Sequence, residues 1–262
     1  MGLDWSKWFQ PRCLVDPCAK RWVEDRLQWL MAAFPRNVFT GGKVMVLPTP
    51  EFFPEPFDGS KLGVHKLLKI ICGHIGVDRE RIELRVSDSP HTLWLVDQRG
   101  QALPHAAGTY HKERKQVVTV HKSMLADPPW LAAIIAHELA HVLLIGGKHE
   151  SGEDYDSELL TDLAVVHLGL GVLRANSNSY WPSGNTFWPG TMMIKPAYMT
   201  LPMFGWALAH AAWFRGEAKP IWLKYVRWGV RTEVRHDLRY LIEIGDSTFR
   251  PPAYAQPTPP GA

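Results

Sequence analysis

The chain of 262 residues has only three cysteines, Cys13, Cys18 and Cys72. So few, in odd number, give no disulfide framework. Cys13 and Cys18 find no second pair to complete a cysteine metal site, so all three read as free thiols of a reducing compartment. No uninterrupted apolar run of about eighteen residues occurs, so no transmembrane helix is expected. The first residues lack the apolar core of a signal peptide, and the expected location is cytoplasmic. Met1-Gly2 with Ser6 fits a weak myristoylation pattern. A surplus of either charge sign is also missing. The net charge is +3, which offers no bulk argument for a nucleic acid or a membrane as partner.

What the chain does have is apolar material, 46% of its residues, enough for a sizeable core. One domain over residues 1–249 is expected. It would comprise a helical and β part (1–126), a pair of metal-binding helices (127–175) and a helical part (176–249), with a disordered Pro-rich tail at 250–262. Periodicity predicts an amphipathic helix over 20–34 with Trp22, Val23, Leu27, Leu30 and Met31 as its apolar set, and a second helix over 60–75. Strands are predicted at 81–86, 92–96, 106–110 and 116–121. Helices follow at 201–214 and, as one continuous element, at 220–244. Between 176 and 196 Gly, Pro, Ser and Asn predict a long loop, a candidate rim or lid. Twelve Trp crowd toward the first thirty residues and the region after 180, as core or as interface.

The chemistry concentrates in His137-Glu138-Leu139-Ala140-His141. On a helix, positions i and i+4 project from one face. Two imidazoles there can hold one metal ion, with the intervening carboxylate beside it to act on water. The flanks, Trp130 to Ala136 and Val142 to Ile145, are helix formers without Gly or Pro. Asp127-Pro128-Pro129 reads as an N-cap with first-turn prolines, and Gly146-Gly147 as the stop. Burying two His and a Glu among aliphatic side chains is costly unless they are paired or bound to metal. The alternative is two core histidines satisfied by hydrogen bonds. The spacing points to a zinc hydrolase, and within that class to a peptidase.

A catalytic zinc takes a third protein ligand and an open position. A His six residues beyond His141 would fall at 147, which is Gly147; His149 comes too late, and no Cys is near. The segment 157–166 is helical in pattern, with Glu158 and Asp162 one turn apart on one face. Glu158 is the third-ligand candidate. Asp162 would then accept a hydrogen bond from a ligating imidazole and fix its tautomer. Glu150, Glu153, Asp154 and Asp156 remain rival ligands, and an exposed acidic helix start remains the plain alternative.

His137-Glu138-x-x-His141 followed by Glu158-x-x-x-Asp162 resembles the gluzincin branch of the zincin metallopeptidases, over positions 105 to 175. The resemblance implies an α+β fold in which a small, mostly antiparallel sheet packs on the metal-binding helix, followed by a helical C-terminal half. It implies one zinc ion per chain on His137, His141 and Glu158, with Glu138 as general base and Asp162 behind the ligands. It places Gly108, Thr109 and Tyr110 on an edge strand bordering the cleft, where an extended protein or peptide substrate adds by main-chain hydrogen bonds. Gluzincins often supply an oxyanion donor from a later segment. Tyr198 is the candidate here, with Tyr180, His210 and His236 as alternatives, while His167 falls on the opposite face of its helix. The expected activity is that of a narrow-specificity cytoplasmic zinc peptidase. Two other readings stand beside it: a catalytically silent zinc-binding interaction module, and a metal-free scaffold.

Lys224, Arg227, Arg231, Arg235 and Arg239 recur at three- and four-residue steps and form a basic stripe. With Glu233, Asp237 and Glu243 interspersed, a solvated helix face is expected, although the stripe could meet phosphate or an acidic partner.

Overall fold

Asp16 and Pro17 begin the first helix. The Asp16 carboxylate accepts from the amides of Cys18 and Ala19 at 2.8 and 3.1 Å, and Pro17 sits where no amide is needed. Helix α1 (Pro17–Ala33) buries Val23, Leu27, Leu30 and Met31 and leaves Trp22 half-buried. In this computed structural model the described residues are 11–88, 94–96, 102–104, 108–112, 116–146, 156–177, 186–187, 191–192 and 194–251. The tail expected at 250–262 lies outside them from 252 onward.

Ser60 caps α2 (Lys61–Ile75) through Gly63, and Gly76, left-handed at φ 93°, ends it. Strands β1 (Ile82–Ser87), β2 (Trp94–Val96), β3 (Ala102–Pro104), β4 (Gly108–Lys112) and β5 (Gln116–His121) follow. Strands β2 and β3 pair as an antiparallel ribbon, and the principal sheet runs β1-β5-β4. Here the expectation of a mostly antiparallel sheet is corrected. The six-residue pair β1/β5, from Ile82 opposite Gln116 to Ser87 opposite His121, is parallel, and only β4 joins β5 antiparallel. A parallel pair needs a long crossover. The segment from 88 to 115, carrying β2, β3 and β4, supplies it. Periodicity fixes that a segment is a strand but not the direction of its neighbour.

Helix α3 (Pro128–Gly146) starts at Asp127, whose carboxylate accepts from Trp130 N at 3.1 Å. Every residue from Leu131 to Val142 is buried. By length and composition alone Pro128–Ile145 is apolar enough to cross a membrane, and 72% of that window is buried within the fold. A helix apolar all round is what a central core helix requires. It packs against α2, β4, β5, α4 (Ser157–His167) and α5 (Gly171–Ser177).

The turn between α4 and α5 is shaped by Gly169 at φ 94°, where a Cβ would stand 2.2 Å from the Val44 carbonyl oxygen. Val38 N bonds His167 O at 3.0 Å and Val46 N bonds Gly169 O at 2.8 Å, so the segment after α1 is laid across this turn. In the region expected to be a loop, β6 (Thr186–Phe187) and β7 (Ile194–Lys195) pair antiparallel. Helix α6 (Leu201–Phe214) has the predicted limits.

The single helix expected over 220–244 is instead a 3-10 turn, Ile221–Tyr225, followed by α7 (Trp228–Ile244). The break has a cause elsewhere in the chain. The Asn176 amide donates to Tyr225 O at 2.7 Å and accepts from Arg227 N at 2.8 Å, replacing the helical bonds these groups would make. Arg231 adds bonds to Val226 O and Lys224 O. The basic stripe is therefore not continuous: Lys224 and Arg227 precede the helix, and Arg231 is occupied by carbonyls. One apolar core extends from Val15 in the N-terminal segment to Phe249.

Candidate metal centre

Helix α3 presents His137 and His141 on one face, both buried, with ring centroids 4.8 Å apart. Helix α4 lies alongside and brings Glu158 onto them. Glu158 Oε2 is 3.0 Å from His137 Nε2, and Oε1 is 3.4 Å from His141 Nε2. One ligand atom from each of the three residues falls within 4.8 Å of the others. The Glu158 side chain keeps 27% exposure against 5% and 9% for the two imidazoles, so of the three it is the one nearest to solvent.

The outer nitrogens are both occupied. Asp162 Oδ1 lies 2.8 Å from His137 Nδ1. An ionised carboxylate only accepts, so this ring carries its proton on Nδ1. Behind His141 stands Thr161, its hydroxyl 3.0 Å from Nδ1 and donating to Ser157 O at 2.9 Å. With its one proton given to a carbonyl, that hydroxyl accepts from Nδ1–H of His141. In the neutral rings both Nε2 lone pairs then point at the Glu158 carboxylate. Acceptors cannot satisfy one another. Either a proton or a cation belongs among them, and two imidazoles with one carboxylate are a donor set that can hold a metal ion.

Burial and the Arg174 charge oppose protonation of His137, but the hydrogen bonds to Asp162 and Glu158 outweigh them and lift its pKa to about 9. Burial disfavours the ionised Glu158 carboxyl, yet His141 and His137 hold it well below the ordinary range. Asp162, opposed by burial, is likewise lowered, chiefly by Arg174. Arg174 Nε donates to Asp162 Oδ1 at 2.6 Å and Met199 N donates to Oδ2 at 3.1 Å. Glu138 behaves differently. It is buried, its Oε2 has no hydrogen-bond partner among the described residues, and burial raises its pKa. A buried carboxylate oxygen left open beside a donor cluster is a group with its partner still to come.

No family model, curated protein or solved structure matches the chain.

Tyr198 lies with its ring centroid 6.0 Å from that of His137 and 5.9 Å from the Arg174 guanidinium carbon, and burial holds its phenol protonated. The two candidate donors His210 and His236 are engaged elsewhere. His210 bonds Trp206 O and Ser247 Oγ, and His236 lies 3.5 Å from Asp237. His167 bonds Phe34 O. The rival ligand Asp156 is drawn away by Trp22 and Arg26 of α1, which tie the start of α4 to the N-terminal helix. Tyr180, Glu150, Glu153 and Asp154 lie outside the described residues. Strand β4 carries Gly108, Thr109 and Tyr110 at the sheet edge, packed on α3, and their side chains lie outside what is described.

Sequence reasoning missed Thr161, Arg174 and Lys195. Thr161 follows Glu158 by three positions, a spacing that shares a helix face and could have signalled it. Arg174 sits on a different short helix with no periodic cue. Lys195 is buried on β7, where the charges of Asp156 and Glu158 partly offset the cost of burial to its ammonium.

Proposed function

We propose that the protein is a zinc-dependent peptidase of gluzincin type, cytoplasmic and of narrow specificity. The observation that carries this reading is the convergence of His137 Nε2, His141 Nε2 and the Glu158 carboxylate, with each Nδ1–H already taken by a partner. A structural metal site would have no use for Glu138, whose open carboxylate sits next to the donors.

Bound zinc supplies Lewis acidity toward a water and a scissile carbonyl. Glu138 holds the proton released by the attacking water and returns it to the leaving amine. Asp162 and Thr161 keep the two rings in the tautomer and orientation that leave Nε2 free. Tyr198, kept protonated, is the donor proposed for the developing oxyanion. The outer edge of β4 is where an extended peptide would add.

The test begins with the metal content of the purified chain, for which about one zinc is expected. Glu138→Gln should then keep the zinc and abolish cleavage of a substrate trapped by the same variant. Loss of zinc from Glu138→Gln, or absence of zinc after the ion is offered and dialysed, would overturn the reading. A variant with full zinc and undiminished biological effect would favour the silent interaction module.

A further inference from the structure

A second feature lies where the segment before α7 meets that helix. Here a groove of about 670 Å³ runs between residues 218–224 and α7. Its walls carry Lys219 and Lys224 on one side and Arg235 and Arg239 on the other. Leu223 and Leu238, both buried, form the floor, and Ile221 and Ile242 stand at the rims with 84% and 50% of their surface exposed.

Five cations line this groove, counting Arg231, against the single carboxylate of Glu243. The groove therefore concentrates more positive charge than the net +3 of the whole chain. Not all of it is free. Arg231 bonds carbonyls, Arg239 pairs with Glu243 at 2.6 Å, and Lys224 lies over the Tyr225 ring at 4.9 Å. Lys219 and Arg235 are exposed and have no hydrogen bond or ion pair among the described residues. Both line the groove, whose floor is apolar.

We propose that this groove docks an acidic segment of a protein partner, an apolar anchor on the Leu223–Leu238 floor flanked by carboxylates that meet Lys219 and Arg235. The shape decides between partners. A phosphate backbone has no use for an apolar floor, and a bilayer does not reach a floor sunk between charged walls. A peptide with an apolar residue between acids satisfies both features at once, and the paired cations fix its register. The break in the helix at 225–227, held by Asn176, creates the trough: a continuous helix over 220–244 would leave no facing wall. The docking does not rest on the proposed hydrolysis.

The experiment uses the full chain and a fluorescein-labelled peptide in which glutamates flank a central pair of leucines. Fluorescence anisotropy should show saturable binding that weakens with added salt. Lys219→Glu with Arg235→Glu should weaken it at least about tenfold while zinc content stays at the wild-type value. Both positions are exposed, so the fold is not at stake, and Ile242→Ser, expected to weaken binding without altering charge, is the second variant. The proposal is overturned if the peptide does not saturate or binds the charge-reversal variant equally well. It is also overturned if phosphatidylcholine–phosphatidylserine vesicles or an oligothymidylate bind while the peptide does not.

Discussion

A single hydroxyl decides which nitrogen of His141 is available. Thr161 gives its proton to Ser157 O and so must accept from His141 Nδ1. Thr161→Val keeps the shape and removes the acceptor, leaving that ring free to rotate or to change tautomer. Zinc affinity, read by competition with a chromophoric chelator, should fall about tenfold or more, and Thr161→Ser should restore it. An unchanged affinity in Thr161→Val would remove Thr161 from the site. His137 gives a second prediction. Its folded pKa of about 9 lies above its ordinary 6.5, so its contribution to the stability of the metal-free protein is fully present below pH 6.5 and is lost as pH rises through about 9. At neutral pH zinc must displace that proton. Calorimetry in two buffers of different ionisation enthalpy should show about one proton released per zinc bound at pH 7. Zero release would mean His137 is already neutral. The pentapeptide was legible because both imidazoles and the carboxylate proposed to act with them lie within five residues of one helix. Arg174 was not legible, because the carboxylate it holds belongs to another helix and only the fold joins them.

At the scale of elements, the sequence marked where helices and strands lie better than how they meet. Periodicity and caps located α2, α3 and α6 closely, since each carries its own N-terminal signal or apolar pattern, while α1 begins at Pro17, three residues before the expected start. The direction of β1 against β5 and the break before α7 depend on partners far along the chain. Asn176 is about fifty residues from the carbonyl and amide it binds. Helix contact also leaves its mark at Gly205, where α6 and α7 approach so closely that a Cβ would stand 2.4 Å from Glu233 Cβ. Helices must part or tilt to admit it. Gly205→Ala should therefore cost roughly 1–3 kcal/mol in urea unfolding despite its better helix propensity. A neutral or stabilised variant would mean that α7 yields freely at this contact.

Across the whole molecule, buried titratable groups pull stability in opposite directions. His167 and His210 are buried and neutral, each with its pKa lowered by burial to about 4. Their contribution is present above the unfolded value of about 6.5 and is lost as pH falls through about 4. Asp237, on the face of α7 turned toward Gly205, works the other way. It is buried, its Oδ2 has no partner among the described residues, and burial with the Glu233 charge raises its pKa to about 8. It contributes most below its ordinary 3.8, and that contribution is lost as pH rises through about 8. Acid thus charges His167 and His210, while base charges Asp237, and stability should peak between. Asp237→Asn keeps the neutral form at every pH. Its melting temperature should match wild type near pH 5, where Asp237 is protonated in the fold. Near pH 9 it should be higher, by about 2–4 °C for each kcal/mol relieved in a chain of this size. A variant that melts lower than wild type at pH 9 would show that the ionised carboxylate is held by a favourable partner, and the opposing pull assigned to Asp237 would then be wrong.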